Sequence, residues 1–238
     1  MATRERVEGA LLGTLVGDAF GHPFEGASGR DRGSRTPSMT GLAWEAEVAM
    51  REDRGEDRAF VSGADVRWTL AVADGAGGGG YGAEAAAAAV EAARDSVTGP
   101  RLEAAERLRR IDQGLAATGR GLTTAVVARV DGTTVLGASV GDSVAWARTP
   151  AGWCELTADQ RRRPLLGSGA ATPVPFRAES VRCLVLATDG LTAHLPWPRL
   201  RRLLEEDASA HDLAEAARLP GGGLPDDVTV VVLRRGDR

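Results

Sequence analysis

Carboxylates at the ends of apolar runs are the residues of this sequence best suited to chemistry. Residues 69–80 read T-L-A-V-A-D-G-A-G-G-G-G: an apolar run stops at Asp74-Gly75 and enters a glycine-rich loop. A buried strand that ends this way presents its carboxylate at a sheet edge. The small residues after it let the backbone come close to whatever the carboxylate holds. The construction recurs. The run 183–187 ends in Thr188-Asp189-Gly190, Asp226-Asp227 stands just before 228–233, and Glu56-Asp57 just before 58–61. Four such strand ends in one chain predict one carboxylate-lined metal site. All-oxygen ligation favours Mg²⁺ or Mn²⁺, and the scattered His22, His194 and His211 argue against a His-rich zinc site. Asp-Gly alone is a common turn dipeptide, and Asp131-Gly132 is read only as a two-residue hairpin turn. The glycines of 75–80 lack the Lys-Ser/Thr of a phosphate-cradling P-loop.

The elements that must position these carboxylates are strands at both ends of the chain, with helices between. Apolar spacing predicts a helix over 4–20, and the Gly-, Ser-, Arg- and Pro-rich 26–40 reads as a linker. Strands are predicted over 42–50, 58–61 and 66–73. An Ala-rich helix over 82–94 and a second helix opened by Pro100 and running to 118 follow. Strands over 122–130, 133–140, 143–149 and 153–156 form a meander, 157–178 reads as an irregular connection, and 181–187 is a further core strand. Helices over 198–206 and, capped by Ser209, up to 219 precede the last strand, 228–233. This order suits an α+β layer fold with antiparallel sheets.

The 238 residues are 43% hydrophobic, enough for a sizeable core, and the net charge is −4. Every basic residue is Arg, with no Lys. Nothing in this balance points to nucleic acid or an anionic membrane. Cys154 and Cys183 make no disulfide framework. Both are expected to be buried and reduced, in a cytoplasmic protein. The apolar patch 10–16 is too short to span a membrane. The chain is expected to divide into an N-terminal helix and linker, 1–40, and one larger domain, 41–238.

Taken in order, E-D, V-A-D-G-x-G-G, G-L-T-T-A, V-G-D-S, L-A-T-D-G-L and D-D-V-T-V-V-V resemble the metal-dependent protein phosphatases of the 2C type, over about residues 47–233. Each motif is weak alone, and the order of all six is specific. The resemblance implies two antiparallel sheets packed face to face, with helices on both outer faces. It implies attack of a metal-bridging water on phosphoserine or phosphothreonine in a protein substrate, a target of a serine/threonine kinase. By position, Asp74 would bridge two Mn²⁺ or Mg²⁺ ions, the Gly75 carbonyl would bind one and Asp57 the other. Asp189 and Asp226 would complete the site, Glu56 would act through water, and Asp227 would support the ligands from behind. Asp142, in G-D-S, matches a ligand of an accessory third cation.

Three departures from that family pattern stand in the sequence. The position of the phosphate-binding Arg holds Glu52, leaving Arg51 and Arg54 as candidates. Ala76 replaces a His proposed as general acid in some relatives. Asp142 to Asp189 spans 47 positions, too short for the usual flap subdomain, which is expected to be reduced or absent. Because Ala193 stands where a further third-cation carboxylate belongs, two well-held cations and a weak or absent third are expected. Two alternatives come from other classes. One is a pseudophosphatase that keeps the fold as a regulatory binding module. The other is an ADP-ribosyl hydrolase, because 7–26 resembles the opening of the ADP-ribosylglycohydrolases, with Asp18 and Glu25 at acidic positions. That family's metal-binding Thr-Asp-Asp signature does not follow.

Overall fold

Apolar residues on consecutive positions, such as Leu70, Ala71, Val72 and Ala73, send alternate side chains to opposite faces of a strand, so both faces must be covered. The computed structural model describes residues 5–7, 43–51, 54–76, 81–98, 103–219, 221–224 and 226–236. Its strands are β1 (Glu5–Val7), β2 (Trp44–Arg51), β3 (Asp57–Ala64), β4 (Arg67–Ala76), β5 (Leu122–Thr123) and β6 (Ala125–Asp131). They continue with β7 (Thr134–Val140), β8 (Val144–Thr149), β9 (Gly152–Glu155), β10 (Val174–Ala178), β11 (Cys183–Ala187) and β12 (Val228–Arg235). The helices are α1 (Tyr81–Thr98), α2 (Ala104–Thr118), α3 (Asp189–Thr192), α4 (Trp197–Glu205) and α5 (Ala210–Ala216).

The strands make two six-stranded sheets. One has the order β1-β2-β12-β11-β8-β9; the other runs β10-β7-β6-β4-β3, with β5 pairing β4. Every pairing is antiparallel. The alternation within each strand builds three apolar layers. Leu70 and Val72 join Leu184, Leu186, Val231 and Leu233 between the sheets. Ala71 and Ala73 turn the other way, onto Ala85, Ala89 and Val90 of α1 and Leu108 of α2. Val185, Val230 and Val232 meet Leu200, Leu204 and Leu213 of α4 and α5. The order helix, sheet, sheet, helix is the expected α+β sandwich.

Local chemistry sets several boundaries. Gly119 closes α2 in the left-handed conformation at φ 63°. Ser209 and Asp212 form a reciprocal capping box at the start of α5. The β6–β7 hairpin turn is Gly132-Thr133, one residue later than expected, because Asp131 ends β6 paired with Thr134.

Several expectations are corrected. Residues 5–7 are not helical: they form β1, which pairs its backbone to the edge of β2. The rest of the expected N-terminal helix and the 26–40 linker lie outside the described residues. The connection 157–178 ends in strand β10, whose Pro175 is tolerated because β10 is an edge strand. The helix expected from Pro100 starts at Ala104, and the last helix stops at Ala216. The expected strand 122–130 is broken at Thr124, whose N–H turns to the Asp74 carbonyl. Cys183 is buried, but Cys154 is exposed, because β9 is the edge strand of its sheet.

A candidate metal centre at the strand ends

Antiparallel register makes the first connection. β3 begins with Asp57, and β4 carries Asp74 directly opposite it. The backbone of Asp74 is clamped from the next element. Its N–H donates to Thr124 Oγ1 at 3.0 Å, and its carbonyl accepts from Thr123 Oγ1 and from the Thr124 N–H, both at 2.9 Å. Thr124 Oγ1 also shares a 2.6 Å hydrogen bond with Ser143 Oγ, beside Asp142. The G-L-T-T-A and G-D-S motifs therefore hold Asp74 through backbone and hydroxyl contacts.

The second sheet arrives through β11. Thr188, fully buried at its end, donates from Oγ1 to Asp57 Oδ2 at 2.7 Å and accepts from the Thr229 N–H at 2.9 Å. Asp189 follows at the first position of α3. The other oxygen of Asp57, Oδ1, is buried and has no partner among the described residues. Asp227 accepts from the backbone N–H groups of Arg54, Glu56 and Asp57 at 2.7, 2.6 and 3.4 Å, so it shapes the loop that delivers Glu56 and Asp57. Asp226, half-exposed, sits beside it and accepts the Asp227 N–H.

Two glycines let these strand ends meet. A Cβ on Gly190 would stand 1.9 Å from the Asp227 carbonyl oxygen, and one on Gly75 would stand 2.2 Å from the Gly82 carbonyl. Gly82 in turn lies against the Glu56 carboxylate, since a Cβ there would meet Glu56 Oε1 at 2.9 Å. The D-G pairs of the sequence are thus close-approach positions as well as strand ends.

The electrostatics reflect buried carboxylates gathered close to one another. Burial, followed by the charges of Asp57, Asp189, Asp226 and Asp142, pushes Asp74 up to about 9. Burial also pushes Asp57 up to about 7, against the hydrogen bond from Thr188. Asp189 is raised by burial and by Asp142 and Asp226, while a hydrogen bond with Asp74 and the charge of Arg162 act the other way. Acidic side chains that hold protons this strongly, beside an unpartnered buried oxygen, fit hard divalent cations with oxygen ligands. Among the described residues, no three His, Cys, Asp or Glu side chains already stand close enough together to hold a cation. In this arrangement Asp57 is turned to Thr188 and Asp142 to Arg162.

The two candidate arginines separate clearly. Arg51 is buried and bonds Glu215 Oε1 and His211 Nδ1, both at 2.7 Å, and the Met50 carbonyl at 3.0 Å. Its guanidinium ties β2 to α5, away from the carboxylates. Arg54 is exposed and stands 3.8 Å from Asp226, at the rim of the site. Sequence reasoning named neither Thr188 as the support of Asp57 nor Arg162 as the neighbour of Asp142. The Thr of T-D-G was the only local signal for the first. The second sits in a run, Arg161 to Arg163, that reads as solvated surface.

Comparison with known proteins places this geometry. The model of the family described as stage II sporulation protein E (SpoIIE) matches residues 64–236. No curated protein sequence matches the chain. Among solved structures, the catalytic domain of the serine/threonine protein phosphatase PstP in complex with two manganese ions is 23% identical. It superposes with a TM-score of 0.67, over 82% of this chain and 100% of that one. RsbX in complex with magnesium gives 18% identity and a TM-score of 0.67, over 82% and 96%. The serine/threonine phosphatase Stp1 from Staphylococcus aureus gives 19% and 0.65, over 87% and 99%. At these identities the likeness establishes the fold: two packed antiparallel sheets with flanking helices.

Proposed function

The chain belongs to the SpoIIE family, and from that premise we propose that it is a metal-dependent serine/threonine phosphoprotein phosphatase, hydrolysing phosphomonoesters on a protein that a serine/threonine kinase has modified. The observation that carries this reading is the meeting of Asp57, Asp74 and Asp189 at facing strand ends, with a buried oxygen of Asp57 unpartnered and the proton affinities of all three raised. Asp74, Asp57, Asp189, Asp226 and the Gly75 carbonyl would hold two Mn²⁺ or Mg²⁺ ions, with Glu56 reaching them through water and Asp142 offering a further, weaker position. When bound, such a pair supplies an acidified water and positive charge for the phosphoryl oxygens.

The chain's own residues do the positioning. Thr188 and Thr229 fix Asp57, while Thr123, Thr124 and Ser143 fix Asp74. Arg54 stands free enough at the rim to meet the phosphate. Ala76 offers no proton, so no side chain at that position protonates the leaving group. The reading includes a cytoplasmic protein: Cys183 is a free buried thiol, and no helix among the described residues is long and apolar enough to cross a membrane.

The test is turnover of para-nitrophenyl phosphate and of a phosphothreonine peptide with Mn²⁺. Asp74→Asn or Asp189→Asn should each remove nearly all activity and leave the circular dichroism spectrum intact. Chelation of the wild-type protein should do the same, reversibly. Undiminished turnover in either variant would sink the assignment. Release of ADP-ribose from modified arginine, without phosphatase activity, would favour the other hydrolase class.

A further inference from the structure

Asp142 stands in the turn between β7 and β8, and its negative charge bears on both Asp74 and Asp189. It has one close cationic neighbour among the described residues: Arg162 Nε lies 3.1 Å from Asp142 Oδ2. An exposed arginine on an irregular connection would ordinarily be a mobile surface charge. Here the backbone on both sides is fastened. Before it, the Gln160 N–H donates to the Thr157 carbonyl at 2.9 Å, Thr157 Oγ1 accepts from the Ala145 N–H, and Ser139 Oγ donates to Gln160 Oε1 at 3.0 Å. After it, Leu165 and Leu166 are buried, and Leu166 exchanges backbone hydrogen bonds of 3.0 and 3.1 Å with Thr123, next to the clamp on Asp74. Asp112 of α2 then accepts from the N–H groups of Gly167, Gly169 and Ala171. The connection is therefore built to deliver the guanidinium to Asp142.

We infer that Arg162 is a built-in counter-charge of the carboxylate site, taking at Asp142 the position that a further divalent cation would need. The inference rests on the cation-site reading above and adds a residue that limits how many cations the site takes. It makes Arg162 a positioning residue, since it acts through Asp142. A guanidinium cannot lose its charge at any working pH, so it excludes a cation there more constantly than an imidazole would. The pair is solvent-facing, so its effect is that of an exposed ion pair.

The experiment is a calorimetric Mn²⁺ titration of the full chain, freed of metal beforehand. Wild type should take up two Mn²⁺. Arg162→Gln should gain a third Mn²⁺ or tighten a weak one by roughly fivefold, the size of an exposed ion pair. Arg162→Lys, which keeps the charge, should behave as wild type. The double variant R162Q/D142N should return to two ions, which a general change in surface charge would not produce. If R162Q and wild type both bind two Mn²⁺ with the same affinity, the inference is overturned while the cation site stands. If wild type and R162Q bind no Mn²⁺, the cation-site reading falls and this inference falls with it.

Discussion

At the scale of the residue, the protons on Asp57 and Asp74 would compete with the proposed cations. A carboxylate must lose its proton to ligate, and these two hold theirs up to about 7 and about 9, with burial the first cause in each. Mn²⁺ affinity should therefore rise with pH from about 6 to about 9, with protons released on binding. The linkage sign for the metal-free chain is the reverse. Its folded state binds more protons than the unfolded one above the ordinary carboxylate value of 3.8, so stability falls as pH rises. Thermal unfolding of metal-free protein should come at lower temperature at pH 9 than at pH 6, and a flat profile would contradict this. The arginines make a second test. Arg51→Ala removes one of the two arginine partners of Glu215, which Arg218 and then Arg51 hold down to about 2, together with the hydrogen bonds to His211 and the Met50 carbonyl. It should cost about 1–2 kcal/mol of stability. Arg54→Ala should leave stability alone and raise KM for a phosphopeptide. The opposite assignment of effects would refute the division of roles.

Among the elements, the connection between β9 and β11 depends most on a single side chain. Asp112 is buried in α2 and accepts three backbone N–H groups from Gly167, Gly169 and Ala171. In Asp112→Ala these donors lose their partner, a loss of about 1–3 kcal/mol. For a chain of this length that is roughly 2–4 °C in melting temperature per kcal/mol. Limited proteolysis should also open the chain near residues 167–171, and an unchanged melting curve with no new cleavage would show that the turn holds itself. The same connection is where the sequence was least legible. Residues 157–178 are polar and rich in Gly and Pro, and Pro175 interrupts the short apolar alternation of β10, so neither that edge strand nor the fastening of Arg162 was read from local pattern.

For the whole molecule, the two sheets share one core, and the site straddles both. Leu70 and Val72 from one sheet pack with Leu184, Leu186 and Val231 from the other. Asp74 continues the strand of Leu70, and Asp189 lies just past β11. Unfolding should therefore be a single transition. Leu70→Ala, at a fully buried position, should lower the unfolding free energy by about 2–5 kcal/mol. Far-ultraviolet circular dichroism and fluorescence of the buried Trp44, Trp68 and Trp146 should shift together. Two separated transitions would mean that the sheets unfold independently.

What the sequence determined by itself is local. Continuous apolar runs specify strands buried on both faces, and D-G after such a run marks a strand end; the sandwich was implied by the family resemblance that the order of six motifs carries. The strand and strand-end readings depend on neighbours a few residues away. The tertiary structure alone decided which groups touch. Thr188 meets Asp57 across 131 positions, and Arg51 meets Glu215 across 164. Which of two nearby arginines stands beside the carboxylates depends on α5, whose Glu215 and His211 hold Arg51 while Arg54 reaches Asp226. Hydrogen-bond partners and burial are set by the stacking of the sheets, and sequence spacing does not encode that stacking.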